Sequence, residues 1–161
     1  MGLNILIAED DYKISDFYSK ILPKVGHKVT LTKNGIECLQ EYVQKLKNSK
    51  NKEPPYDVVI IDFAMPKLSG IGLAMEIQKF CPTQRMIFVT AYEADLLRES
   101  PPHIANIEVV KKPFQLHTFL GILGGKHADT VKQKQQEPPF KKWDRYSELL
   151  TPPSGPARSI S

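Results

Sequence analysis

Cysteine is scarce in this chain: two residues in 161, Cys38 and Cys81, with no CxxC pair and no histidine beside either. That excludes a disulfide framework and a thiolate metal site, and leaves two ordinary reduced thiols. No run of about 18 apolar residues exists, so membrane insertion by a helical span is not expected. The start runs from Met1 straight into an apolar strand pattern with an acidic cluster behind it, unlike a signal peptide, and a soluble cytoplasmic protein is expected. Gly70 and Gly72 form no phosphate-binding glycine loop. His27, His103, His117 and His127 are scattered, none at a metal or phosphotransfer spacing.

Charge of one sign is also lacking where it would matter. The net charge is +4, but residues 1–125 carry 15 Lys/Arg against 14 Asp/Glu, and residues 126–161 carry 7 against 4. The surplus therefore sits in the tail. Lys132, Lys134, Lys141, Lys142 and Arg145 could neutralise phosphates, yet so small an excess amid four acids is weak support for nucleic-acid binding, which is not expected.

What is present is alternation. Residues 3–8 form a short branched run that reads as a buried strand, and Ile14, Phe17, Tyr18, Ile21 and Leu22 then repeat at helical spacing. A weak strand at 28–32 precedes a helix marked by Ile36, Leu39, Val43 and Leu46, which ends in the polar stretch 47–53 before Pro54-Pro55. The strongest strand is 57–62. A helix opening at Gly70 carries Leu73, Ile77 and Phe80; residues 85–90 are a strand; residues 92–100 read as a short helix stopped by Pro101-Pro102. The last pair is a strand at 107–111 and a helix at 114–123, with Leu116, Phe119, Leu120 and Leu123 on one face.

Five strands alternating with five helices imply an α/β fold: a doubly wound five-stranded parallel sheet with helices on both faces. Sites in that class form at the carboxyl ends of the strands, near a topological switch point. Gly124-Gly125 breaks the last helix, and 126–161 is rich in Lys, Gln, Pro and Ser with no second core pattern. One domain over 1–125 and a partly disordered tail over 126–161 follow. The tail holds one apolar cluster, Phe140, Trp143, Tyr146, Leu149 and Leu150, at roughly helical spacing, suited to packing on its own domain or on a partner.

Reactive side chains recur where such a site needs them: Glu9-Asp10-Asp11 after the first strand, Asp62 after the third, Thr90 after the fourth and Lys112-Pro113 after the fifth. Carboxylates brought to about 4 Å repel by roughly 4 kcal/mol per pair at an effective dielectric of about 20, so their convergence calls for a cation. Mg²⁺, which prefers hard oxygen ligands, is the natural one. An aspartate so placed can act as a nucleophile toward phosphorus. Thr90 could hydrogen-bond the phosphoryl oxygens and Lys112 could neutralise them. Asp11 reads as a helix cap and Lys111 as a solvated neighbour of Lys112.

The ordered motifs ILIAEDD, DVVIIDFAMPKLSG, FVTA and KKPF resemble those of response-regulator receiver domains, over about residues 3–123. The resemblance implies a flavodoxin-like sheet of order 2-1-3-4-5. It implies that Asp62 is the phosphoacceptor, that Glu9, Asp10, Asp62 and the backbone carbonyl of Ala64 hold Mg²⁺, and that Thr90 is the switch hydroxyl. Lys112 would be the lysine preceding a cis proline, Pro113. A histidine kinase or phosphotransfer protein would be the donor. The fourth predicted helix, the fifth strand and the fifth helix, or the tail, would engage a downstream protein. No enzymatic activity beyond self-phosphorylation and slow self-dephosphorylation is expected. Two features depart from the pattern: Val109 stands where many receivers have an aromatic residue, and 45–55 is longer, a solvated loop. Val109 keeps a second reading open, a phosphorylation-independent interaction module on the same fold.

Overall fold

The computed structural model describes residues 2–50, 53–91 and 107–125. Within them the chain alternates as read: β1 (Asn4–Ala8), α1 (Tyr12–Lys24), β2 (Lys28–Thr32), α2 (Gly35–Asn48), β3 (Val58–Asp62), α3 (Gly70–Phe80), β4 (Met86–Thr90), β5 (Ile107–Lys111) and α4 (Leu116–Leu123). The helix expected at 92–100 and the tail at 126–161 lie outside the described residues. The strands form one parallel sheet in the order β2-β1-β3-β4-β5. The chain reverses its direction of winding between β1 and β3, which is where a ligand crevice is expected.

Pleating divides the side chains between two cores. Leu6, Ala8, Val59, Ile61, Met86 and Phe88 face one side, under α2 and α3. Ile5, Ile7, Val58, Ile60, Ile87, Val89 and Val110 face the other, with Tyr18 and Leu22 of α1 and Phe119, Ile122 and Leu123 of α4. β3 and β4 are buried along their whole length, as interior strands of a two-faced sheet must be, while the edge strands β2 and β5 are only partly covered.

Three of the four described helices, α1, α2 and α3, start on short polar side chains at the sheet's carboxyl edge. Asp11 accepts from the N–H groups of Lys13 and Ile14, Asn34 from that of Glu37, and Ser69 from that of Gly72. Glu37 reaches back to the N–H of Lys33, one residue before the cap, at 3.1 Å, which further fixes the start of α2. At Gly70 an added Cβ would lie 2.7 Å from the Asp62 carbonyl oxygen and 3.1 Å from both Ile61 Cγ2 and Phe63 Cα, so α3 can start this close to the end of β3 only without a side chain there.

Several sequence expectations need correction. The last helix begins at Leu116 rather than at 114, and α2 continues to Asn48, so its loop is shorter than the 45–55 stretch. Ile36, Phe80 and Leu116, read as core by their spacing, are 45%, 50% and 37% exposed. Each lies in the first or last turn of its helix, where the chain overhangs the sheet and periodicity no longer implies a covering layer.

Candidate functional site

Glu9 is the first residue past β1, and its N–H still donates to Thr32 O at 3.1 Å, extending the ladder to β2. The side chain is buried, and its Oε1 accepts the Asp11 N–H at 3.0 Å. Asp62 ends β3 with its side chain mostly covered, and its Oδ1 accepts the Ala64 N–H at 3.3 Å. Asp10 is exposed beside them. Glu9, Asp10 and Asp62 each offer one carboxylate oxygen, and those oxygens all lie within 4.8 Å of one another.

From the other side of the sheet's edge comes Lys112. Its N–H donates to Thr90 O at 2.7 Å, fixing the residue just beyond β5, and the bond to Pro113 is cis. Nζ stands 3.6 Å from Glu9 Oε2 and 3.7 Å from Asp62 Oδ1. Thr90 is buried at the end of β4, next to β3 in the sheet. Lys111 is exposed, as expected, and Asp11 is engaged as a cap.

The electrostatics show a pocket with too much negative charge for its own cation. Burial pushes the Glu9 carboxyl up to about 7; the Asp11 N–H opposes this, the charge of Asp62 adds to it, and Lys112 lowers it. Asp62 is likewise raised by burial, against the pull of Lys112 and the Ala64 N–H. One ammonium does not compensate three carboxylates. The donor set, three hard carboxylate oxygens with one ligand exposed to solvent, fits a small divalent cation of the Mg²⁺ kind.

Sequence reasoning therefore placed Glu9, Asp10, Asp62, Thr90 and Lys112 at one edge, and the structure brings the three acids and the lysine together. Three features were missed. Tyr18 on α1 is buried against Phe119, with no hydrogen-bond partner for its hydroxyl among the described residues. Burial, then the charges of Glu9 and Asp62, raise its pKa. An aromatic in an amphipathic helix reads as core, and nothing in its spacing marks the hydroxyl. Gln84 is fully buried, accepting from Tyr42 OH at 3.0 Å and donating to Tyr56 O and Arg85 O. His27, given no role, accepts the Leu3 N–H on Nδ1 at 3.0 Å and so pins the entry to β1.

Comparison with known proteins agrees with this geometry. The pattern described as "Response regulator receiver domain" matches residues 5–123. The response regulator receiver protein CpdR of Brucella abortus is 30% identical over 116 residues, 72% of this chain and 89% of that protein. Sporulation initiation phosphotransferase F of Bacillus subtilis is 28% identical over 117 residues, 72% of this chain and 86% of that protein. Among solved structures, the response regulator protein TrrA of Thermotoga maritima, in complex with Mg²⁺-BeF, is 25% identical with a TM-score of 0.62, covering 79% of this chain and all of that one. Other relatives are longer transcriptional regulators of which the chain spans about half. Among the described residues no helix is long and apolar enough to cross a membrane. With a sheet of this order, an acidic pocket at its switch point and a family match over three quarters of its length, the chain belongs to the response-regulator receiver domain family.

Proposed function

We propose that this chain is a signalling phosphoacceptor, in which Asp62 takes a phosphoryl group from a phosphohistidine of a histidine kinase or phosphotransfer protein. The observation that carries the reading is Lys112 Nζ between Glu9 and Asp62, at 3.6 and 3.7 Å, in a pocket that gathers three carboxylates. A carboxylate oxygen of Asp62 forms the new P–O bond as the P–N bond to the imidazole breaks, and the imidazole takes up a proton. Lys112 then neutralises a phosphoryl oxygen as a point charge, and the Thr90 hydroxyl donates to another. Mg²⁺ held by Glu9, Asp10, Asp62 and the carbonyl of Ala64 would screen the carboxylates and withdraw charge from the phosphoryl oxygens.

The exchange takes place in the cytoplasm, without nucleic acid. Its output is a shift of Thr90 toward the phosphoryl group that alters the face formed by the segment after β4, by β5 and by α4. No turnover of a separate substrate is proposed: position 64, two residues past Asp62, is an alanine and offers no general acid.

A second reading, a phosphorylation-independent interaction module, is favoured by Val109. This β-branched residue packs partly buried against the core under α3 and has one stiff torsion where a swinging aromatic ring would relay the switch.

The deciding experiment is phosphate incorporation from acetyl phosphate or phosphoramidate with Mg²⁺, read by intact mass. One added phosphate on the wild type and none on Asp62→Asn supports the phosphoacceptor. Labelling that persists in Asp62→Asn refutes it. Absence of labelling in a folded, Mg²⁺-binding wild type favours the module.

A further inference from the structure

Alternation along the strands decides which way the acidic pocket faces. Ile5 and Ile7 of β1, Val58 and Ile60 of β3 and Val110 of β5 point into the core under α1 and α4. Glu9 and Lys112 still donate to the neighbouring strands, at Thr32 O and Thr90 O, so the pleat runs on through them. Two residues past Ile7, Ile60 and Val110, the side chains of Glu9, Asp62 and Lys112 therefore leave the sheet on that same side. Tyr18 belongs to this layer. Helix α1 follows Asp11 directly, so its first turn stands at the carboxyl edge of the sheet, and helical side chains lean toward the N-terminus. The Tyr18 ring thus runs from the second turn of α1 up toward the pocket. Phe119 holds it at a ring-centre distance of 5.6 Å and itself stacks at 4.9 Å on Phe114, two residues beyond Lys112. One aromatic row braces Tyr18 and the turn at Lys112-Pro113 together.

Among the described residues, Tyr18 alone has a buried side-chain polar atom without a hydrogen-bond partner. Phenylalanine would fill the same space with no donor left unpaired. Burial, and after it the charges of Glu9 and Asp62, keep the phenol protonated, so what it offers is a donor. We propose that Tyr18 is a positioning residue of the cation site: its hydroxyl donates a hydrogen bond to the ionised Glu9 carboxylate from the α1 side and fixes the orientation in which Glu9 serves the cation. Glu9 has acceptor capacity to spare, since Oε1 takes the Asp11 N–H, Oε2 faces Lys112, and a carboxylate offers about four lone-pair directions. A donor behind a metal ligand sets that ligand's orientation. This role rests on the reading of Glu9, Asp10 and Asp62 as a Mg²⁺ site and not on phosphoryl transfer to Asp62.

Calorimetric titration of the full chain with Mg²⁺, without any phosphodonor, tests it. Tyr18→Phe should weaken binding roughly 10-fold. Its melting temperature in EDTA should stay at the wild-type value or rise, because the hydroxyl has no partner to lose. Tyr42→Phe is the control: that hydroxyl donates to Gln84 in the opposite core, so its loss should lower the melting temperature and leave Mg²⁺ affinity unchanged. Equal affinity in wild type and Tyr18→Phe overturns the proposal. So does a weakening that Tyr42→Phe shares, or one that comes with a lower melting temperature of metal-free Tyr18→Phe, since either traces the effect to packing. A wild type that takes up no Mg²⁺ overturns it together with the cation site. A protein that passes these tests yet gains no phosphate on Asp62 supports the role of Tyr18 and counts against the phosphoacceptor reading alone.

Discussion

Lys112 Nζ lies 3.6 Å from Glu9 Oε2, joining the residue past β5 to the residue past β1 across the carboxyl edge of the sheet. The contact is partly shielded, with Glu9 almost inaccessible and Lys112 about one-fifth exposed. It therefore acts in a lower dielectric than a surface pair does. Because the same ammonium also approaches Asp62, Lys112→Met removes the one side-chain cation that the described residues bring to the pocket. Loss of a preorganised charge at a reacting group lowers rates by roughly 10²–10³. Phosphate incorporation into Lys112→Met from phosphoramidate should slow by that order, with the far-ultraviolet circular dichroism of the wild type retained. A rate within a few-fold of wild type would remove Lys112 from the chemistry.

The raised carboxyls predict how the metal-free protein responds to pH. Glu9 binds its proton more tightly when folded, at about 7, than its ordinary value of 4.5. Between those values the folded state holds more protons than the unfolded one, so stability falls as pH rises through the window. The loss for this residue is on the order of 3 kcal/mol at most, since one unit is worth about 1.4 kcal/mol. In EDTA, thermal unfolding should therefore occur at lower temperature at pH 8 than at pH 5.5. Glu9→Gln should flatten the difference, and Mg²⁺ should restore stability most at pH 8, where the ligands are ionised. A metal-free protein that gains stability over this range would contradict the electrostatic picture of the pocket.

Gly70 offers a steric test of how the pocket is built. With a Cβ 2.7 Å from the Asp62 carbonyl oxygen, Gly70→Ala must push β3 and α3 apart at the residue proposed as phosphoacceptor. Overpacking of this kind costs about 1–3 kcal/mol, and phosphate incorporation should fall with it. At Gly121 in α4 an added Cβ meets nothing within 4 Å. Gly121→Ala should therefore raise stability by about 0.5–1 kcal/mol through helix propensity. Urea titrations of both variants check the pair, and equal effects would show that local crowding at Gly70 is not what matters.

Much of this was legible because β3 and β4 are continuous apolar runs ending in Asp62 and Thr90. Burial on both faces demands that composition, and a parallel sheet puts all such ends at one edge. The caps at Asn34 and Ser69 emerged only with the structure, whereas the cap at Asp11 could be read from residue type and position alone. Ile36, Phe80 and Leu116 could not, because periodicity reports a helix face without reporting where its covering layer stops. The lone hydroxyl of Tyr18 and the Gln84 network depend on contacts between residues far apart in sequence, and His27 is one residue whose role comes from a backbone N–H 24 positions away.

Arg85 is another long-range feature. Its Nε and Nη2 donate to the two carboxylate oxygens of Glu108 at 2.6 and 3.2 Å, while Nη1 and Nη2 donate to Leu123 O and Ile122 O. One side chain thus ties the start of β4 to β5 and caps the carbonyl end of α4. Arg85→Met breaks a bidentate charged pair and removes the Arg85 donors from Leu123 O and Ile122 O, the second of which keeps the Gly125 N–H, at a cost of about 2–4 kcal/mol. Denaturant midpoints should show it, and hydrogen exchange in α4 should rise more than in α3. A loss confined to a few tenths of a kcal/mol would place the cluster among solvent-screened surface pairs.

The lifetime of the phosphoryl group follows from what surrounds Asp62. Hydrolysis needs a water held in line with the P–O bond and a group to orient or deprotonate it. At position 64 the side chain is a methyl, and the backbone N–H there already points to Asp62 Oδ1. In the proposed mechanism Lys112 and Thr90 would stabilise the phosphoryl oxygens without offering a base. The phosphorylated protein should therefore persist well beyond seconds once donor is removed, with Mg²⁺ present. Ala64→Asn or Ala64→Glu, which place a polar group where that water must sit, should shorten the lifetime without slowing phosphate uptake to the same degree. Loss of the phosphate mass within a few seconds in the wild type would mean that some other group orients the water.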